Sequence, residues 1–332
     1  MTERLPELSR RRLLSWSAAA GAASLLRCPA FAADIPQHAS ARVIVDNDFA
    51  GDPDGLAALA HQLLSPKTRT VLITASFLSD MMPLDLPKGQ TAKASATIAR
   101  ELIRQAGIVA PPPVIAGAEG PGIATPTEAA RAIVAEAMRD DKLPLFVTCG
   151  GPLTNVATAL RIDPRIAEKM TLIWIGGGNY PGGGWEYNCA ADPEAARFVL
   201  ETSRVSLWQV PQGAYRQCQY SIAEMGEEMR PISPFGDWLY QRFTTPPKWV
   251  DIAGAWPLGD SPLVLLSAIS AESSEFVERP APRLGPKLEY LPNPAGRPIR
   301  VYERLDTWLL FGDFLAQLRA HAHRSAEASA RG

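Results

Sequence analysis

The sequence predicts an α/β fold: a doubly wound, largely parallel open sheet with helices on both faces and an active site at the C-terminal strand ends. Three observations lead there. Between residues 43 and 210, short β-favouring runs alternate with apolar helical patterns, the order that builds parallel sheets. One run, Met170-Thr-Leu-Ile-Trp-Ile175, has no polar alternation, as a strand covered on both faces requires. Acidic, amide and glycine-rich stretches fall directly after the strand runs, at the edge where open α/β sheets bind ligands.

The start of the chain stands apart. Ser9-Arg10-Arg11-Arg12-Leu13-Leu14 leads into a small, apolar run over 18–26, and Ala30-Phe31-Ala32 has the small-x-small form of a cleavage site. The paired arginines resemble a twin-arginine export signal, with a plain secretory signal as the alternative. Residues 1–32 are thus expected to be an export signal peptide, which places the protein in the bacterial periplasm and leaves 33–332 as a single domain. Cys28 lacks the small residues of a lipoprotein box, so no lipidation is expected. Removing the signal's net +3 (five arginines against Glu3 and Glu7) from the −2 of the whole chain leaves −5. An acidic chain without a basic run has no electrostatic footprint for nucleic acid. After the signal, no stretch approaches the length of a membrane-spanning helix. Cys149, Cys189 and Cys218 remain, an odd number that is not a disulfide framework; each is expected as a small buried hydrophobe.

The elements follow in order. Val43-Ile-Val45 opens the first strand, and Leu56-Ala-Ala-Leu-Ala begins a helix. Residues 68–76 read as the second strand and 77–88 as a loop long enough to be functional. A helix over 92–106 ends near Gly107, and 113–117 is a short strand. Pro126 is expected in the first turn of a helix over 127–138. Strands over 143–148, 170–175 and 205–210 follow, with a helix from 153 to 160 between the first two. Residues 176–191 read as one long Gly-rich loop, and Asp192-Pro193-Glu194 as a capped helix start. The C-terminal third is less regular: helices over 222–243, 262–269 and 309–321, and a strand over 297–302.

Four of the strand-to-helix loops carry unusual chemistry. Asp46-Asn-Asp48-Phe-Ala-Gly51-Asp52-Pro-Asp54-Gly55 places four carboxylates together, and they repel one another unless a cation sits among them. A solvated acidic turn, with Asp54 capping the helix, is the alternative reading. Gly150-Gly-Pro-Leu-Thr-Asn155 has glycines that free backbone carbonyls to face a ligand. Asn179 to Asn188 puts amides and Glu186 on a flexible loop. Gly259-Asp260-Ser261-Pro262 opens a helix, so Asp260 also reads as a cap. Asn179 and Asn188 also suit turns, and Glu186 a solvated charge.

Together these motifs resemble the nucleoside hydrolases, the inosine–uridine-preferring superfamily, over about residues 42–270. The first loop looks like that family's Asp-x-Asp-Pro-Gly-x-Asp-Asp-Ala signature, and Gly151-Pro-Leu-Thr-Asn155 like its Gly-Pro-Leu-Thr-Asn turn. Glu186-Tyr-Asn188 with Asp192-Pro-Glu-Ala-Ala, and Asp260-Ser-Pro-Leu, are similar to two later elements. The resemblance implies Ca²⁺-dependent hydrolysis of the N-glycosidic bond of a ribonucleoside, giving ribose and free base. It implies a metal site drawn from Asp48, Asp52, Asp54, Asp260 and the carbonyl of Gly150. Asp48 is then the general base, and Asp54, Asn179, Glu186 and Asn188 bind the ribose. Asp46 braces the loop and is not expected as a ligand. The implied partner is a small nucleoside or related riboside; a homo-oligomer is left open.

The sequence departs from the family pattern at three places. Aligned on Gly51, Asp54 takes the ribose-binding place and Gly55 replaces the metal-binding Asp, so that Asp52 must reach the ion or the two aspartates exchange roles. Gly259 stands where a leaving-group His often stands. Ser76-Phe-Leu-Ser-Asp80 lacks the usual Gly-Asn. Relatives without the His stack a purine on tryptophan; Trp185 and Trp256 are the candidates here, which tilts the expectation toward purine nucleosides. Two other readings stay open: a riboside-binding protein that has lost turnover, and a Mg²⁺-dependent phosphatase-like enzyme using Asp46 and Asp48.

Overall fold

A computed structural model describes residues 37–82, 86–245 and 253–331. The chain divides into Met1–Gln37 and His38–Gly332. The expected export signal, and Cys28 within it, lie outside the described residues, as do positions 83–85 of the loop after the second strand.

Eight strands form the main sheet: β1 (Ala41–Asn47), β2 (Thr68–Ala75), β3 (Val114–Ala116), β4 (Leu145–Cys149), β5 (Met170–Ile175), β6 (Ser206–Val210), β7 (Glu275–Pro280) and β8 (Pro298–Arg304), in the spatial order β3-β2-β1-β4-β5-β6-β8-β7. All pairings are parallel except β8 with β7. The order reverses direction between β1 and β4, and such a switch point opens a crevice beyond the strand ends.

Strand periodicity builds the two cores. Val43 and Val45 face one and Ile44 the other; Leu145, Val147 and Cys149 join the Ile44 side, while Ile73 joins the Val43 side. Successive Cβ atoms point to opposite faces, so a strand covered on both sides must be apolar at every position. On the Val43 face lie the helices α1 (Asp54–Leu64) and α2 (Thr91–Gln105), with Leu59 and Leu102 fully buried. On the Ile44 face lie α3 (Glu128–Met138) and α4 (Thr154–Ile162), anchored by Ile133 and Val156. Each such side chain contributes about 1.5–3 kcal/mol on burial.

Four expectations change. Thr127, not Pro126, starts α3: its hydroxyl accepts from Ala130 N at 3.1 Å, and the proline precedes the cap. The expected loop over 176–191 contains a short helix, α5 (Tyr187–Ala191), because Glu186 caps it. The expected helix over 222–243 tightens to a 3-10 turn around Pro231, which lacks an N–H to continue the α pattern, breaks just after it at the extended Ser233, and restarts as α8 (Pro234–Thr244) under the Ser233 cap. Between these lie α6 (Pro193–Arg197), capped by Asp192, and α7 (Gln212–Tyr215). Strand β7 was not expected. Its residues are mostly exposed and half of them are charged, and an edge strand of that kind lacks a buried face to pattern it. Two more helices follow: α9 (Pro262–Val264), continued as a wider turn over Leu265–Ile269, and α10 (Thr307–Arg331). Among the described residues no helix is long and apolar enough to cross a membrane.

Candidate active site

The crevice at the β1/β4 switch point is a cavity of about 350 Å³. The loop after β1 contributes Asp48, Asp52 and Asp54; the turn after β4 contributes Gly150; residues 185–188 contribute Trp185, Glu186, Tyr187 and Asn188; and Gly259-Asp260 closes the far side. Met81, Met82, Ile175, Gln212, Tyr215 and Arg216 line the remainder. Loops remote in sequence meet here because every parallel strand delivers its C-terminal loop to the same edge.

Asp46 lies beneath the cavity, not in it. It is fully buried and accepts hydrogen bonds from Thr74 Oγ1 at 2.6 Å, from Asn155 Nδ2 at 2.9 Å and from the Ser76 hydroxyl. Its carboxylate ties together β1, β2 and α4. Burial raises its pKa, and the donors from Ser76, Thr74 and Asn155 oppose the shift.

Asp48 differs. It is half-buried and, among the described residues, no side chain donates to it; its backbone carbonyl accepts from Gly51 N at 2.9 Å, which closes the turn. Burial pushes Asp48, Asp54 and Asp260 well above the ordinary carboxylate range, and mutual repulsion adds to it. Asp54 and Asp52 act on Asp48, Asp260 and Asp52 act on Asp54, and Asp48 acts on Asp260. Asp54, in the first turn of α1, accepts from Gly55 N at 2.9 Å and from Asp260 N at 3.2 Å. Asp52 is exposed on the rim. Asp260 is not a helix cap: Ser261 holds that position, and the Asp260 carboxylate accepts from Asn47 Nδ2 at 2.9 Å.

Glu186 is buried and fully engaged. It accepts from Gly177 N at 2.7 Å, Cys189 N at 3.0 Å, Asn188 N at 3.2 Å and Tyr215 Oη at 3.1 Å. Gly177 adopts φ 85°, a conformation that favours glycine, and so aims its N–H at the carboxylate. Glu186 is thus neither a solvated charge nor an idle cap, since it anchors α5 while lining the cavity. Asn188 donates to Ile175 O at 2.9 Å and to Gly150 O at 3.4 Å.

Two expected site residues are not brought to the cavity. Asn179 is exposed, and its side-chain oxygen accepts from Gly213 N at 2.5 Å. Trp256 is buried in the core, edge-on to Phe243 with ring centroids 6.2 Å apart, because its short strand pairs with Tyr220 beneath α8. Trp185 stands at the mouth, 59% exposed. None of the four histidines lines the cavity; His61 instead pairs with Asp313 at 2.8 Å. Cys149, Cys189 and Cys218 are buried free thiols whose pKa burial raises, which disfavours the thiolate a nucleophile needs. Sequence reasoning missed Asn47, though it sits inside the acidic motif, and Tyr215, which no motif marks.

The donor chemistry suits a hard divalent cation: several carboxylates and a backbone carbonyl, all oxygen, with Arg216 as the sole positively charged side chain on the described wall. Among the described residues, no three Asp, Glu, His or Cys side chains stand as a ready-made metal cage, so the carboxylates are gathered without being closed round a point.

The profile of the inosine–uridine preferring nucleoside hydrolases matches residues 43–245, more than half of the chain. The chain belongs to this family. Curated relatives include pyrimidine-specific ribonucleoside hydrolases RihA. One, from Escherichia coli O1:K1 / APEC, is 35% identical over 95 residues, which span 26% of this chain and 30% of that protein. Another, from Salmonella typhimurium, is 29% identical over 184 residues, 48% of this chain and 57% of the relative. The matches thus span only part of these relatives' length. A solved plant nucleoside hydrolase superposes with a TM-score of 0.64 at 19% identity, covering 85% of this chain and 99% of that one, and supports the nucleoside hydrolase fold.

Proposed function

We propose that the protein hydrolyses the N-glycosidic bond of a ribonucleoside, giving ribose and free base, with a divalent cation, Ca²⁺, in the cavity. The observation that carries this reading is the contrast between Asp48 and its surroundings: a carboxylate without a side-chain donor among the described residues, set among other carboxylates and opening onto a cavity with Glu186 and Asn188 on its wall. Asp48, Asp54, Asp260 and the Gly150 carbonyl would hold the cation, with Asp52 near enough on the rim to join them. When bound, the cation supplies charge to grip the ribose diol and acidify the attacking water. Asp48 accepts the water's proton as general base. The water oxygen bonds to the anomeric carbon as the bond to the base breaks, and the base leaves with that electron pair and takes up a proton. The nearby carboxylates stabilise the positive charge that develops on the sugar. Glu186 and Asn188, already fixed by backbone contacts, meet the ribose hydroxyls without reorganising.

Trp185 supports a purine base stacked at the mouth. Trp256 no longer supports this preference. The relatives named as pyrimidine-specific make uridine the competing substrate. Ribose release from inosine, adenosine, guanosine and uridine, with and without a chelator, tests the reading; no release from any of them overturns it. The absence of a cavity histidine favours one rival, a riboside-binding protein without turnover, which predicts riboside binding and no ribose. The phosphatase-like rival is disfavoured, because Asp46 is sealed by Thr74, Ser76 and Asn155 and has no room to attack phosphorus. The twin-arginine-like opening supports export to the periplasm, which fractionation of cells expressing the full chain tests.

A further inference from the structure

Asn47 ends β1 with its side chain inside the protein, 1% exposed. Its amide oxygen accepts from Asp48 N at 2.7 Å, and its amide nitrogen donates to Asp260 Oδ2 at 2.9 Å. It therefore joins two principal carboxylate residues of the cavity that are far apart in sequence. The Asn47–Asp260 pair is clamped between two glycines. A Cβ on Gly150 would stand 2.4 Å from Asn47 Nδ2 and 2.7 Å from Asp260 Oδ1. A Cβ on Gly55 would stand 3.1 Å from Asn47 Oδ1 and 3.2 Å from both Asn47 Nδ2 and Asp260 Oδ2. The space in front of Gly55, which any side chain there would need, is filled by the Asn47 amide.

We propose that Asn47 is a positioning residue for the cation site. It holds Asp260 by one oxygen and leaves the other for the ion, and it fixes the Asp48 backbone on the opposite side. It also takes the space of a side chain at position 55. An amide suits this task because it donates to one carboxylate and accepts from a backbone N–H without adding charge. The inference rests on the cation reading above, and its test uses cation binding rather than turnover.

The test is calorimetric titration of the full chain with CaCl₂. Asn47→Ala is expected to weaken Ca²⁺ binding about 10–100-fold, the usual effect of losing a residue that orients a ligand. Asn47→Ser, which keeps a hydroxyl near the Asp48 N–H but is too short for Asp260, is expected to do the same with an unchanged far-UV spectrum, which guards against mere unfolding of the Ala variant. Gly55→Asp alone also weakens binding, because its side chain runs into the amide. The double variant Asn47→Ala/Gly55→Asp is expected to bind no more weakly than Asn47→Ala alone, since removing the amide frees the space that the new side chain needs. Wild-type affinity in either Asn47 variant overturns the proposal, and so does a double variant as weak as the two losses combined. A wild-type protein that binds no Ca²⁺ overturns it together with the cation reading. Asn47-dependent Ca²⁺ binding in a protein that releases no ribose supports the proposal and overturns only the proposed activity.

Discussion

Asp46 and Asp48 are two residues apart at the end of one strand, yet they have opposite surroundings. Asp46 is enclosed, with donors from Thr74, Ser76 and Asn155 arranged round it. Asp48 faces a cavity and other carboxylates, and no described side chain donates to it. The difference teaches how to separate a brace from a reactive group within one acidic motif. Folding satisfies a carboxylate that holds structure, whereas one awaiting a ligand is left short of partners. The raised pKa values alone would not divide them, because burial raises both.

The largest effect should come from breaking the unsatisfied member. Asp48→Asn is expected to lower kcat for riboside hydrolysis by about 10²–10⁴-fold, the usual worth of a general base, with no loss in thermal unfolding midpoint. A variant with near wild-type kcat would remove Asp48 from the chemistry.

Asp46→Ala should do the reverse. It strands three buried donors and is expected to cost about 3 kcal/mol of stability in urea unfolding. A fully stable Asp46→Ala protein would show that the brace is not needed.

Titration sharpens the contrast further. Asp46, Asp48, Asp54 and Asp260 all have raised folded-state pKa values, so the folded protein holds their protons to higher pH than the unfolded chain does. Stability from these protons is fully present below the ordinary carboxylate range and is lost as pH rises through the raised values. In chelator, the unfolding midpoint should therefore fall with rising pH over that window. Added Ca²⁺ should raise the midpoint most at the upper end, where the carboxylates are ionised. A midpoint that climbs with pH in chelator would contradict the repulsive cluster.

The tryptophans repeat the comparison at the smallest scale. Trp185→Ala should raise KM for a purine riboside by several-fold, about 1 kcal/mol of lost stacking, and leave stability unchanged. Equal KM values in both proteins would remove Trp185 from base recognition.

Much of this site was legible in the chain. The acidic motif, the Gly-Pro-Leu-Thr-Asn turn and Asp260 each sit where a strand hands over to a helix, and apolar strands with loop chemistry at one end leave few topologies open. Asn179 and Trp256 misled because residue type does not specify direction: Asn179 binds Gly213 outside the cavity, and Trp256 turns into the core against Phe243. Tyr215 gave no signal, since its role depends on a hydroxyl at the end of α7 meeting the Glu186 cap of α5. The break just after Pro231 was readable in principle, but the helical pattern on either side masked it.

The sequence by itself determined the parallel α/β architecture and the family, because strand periodicity and loop motifs are local properties that survive without the fold. Only the tertiary structure decided which carboxylate is sealed and which is open, and that Asn47 fills the space before Gly55. Those outcomes depend on partners brought from distant segments, such as Asp260 to Asn47 and Asn155 to Asp46, and no local stretch encodes a distance across the sheet edge.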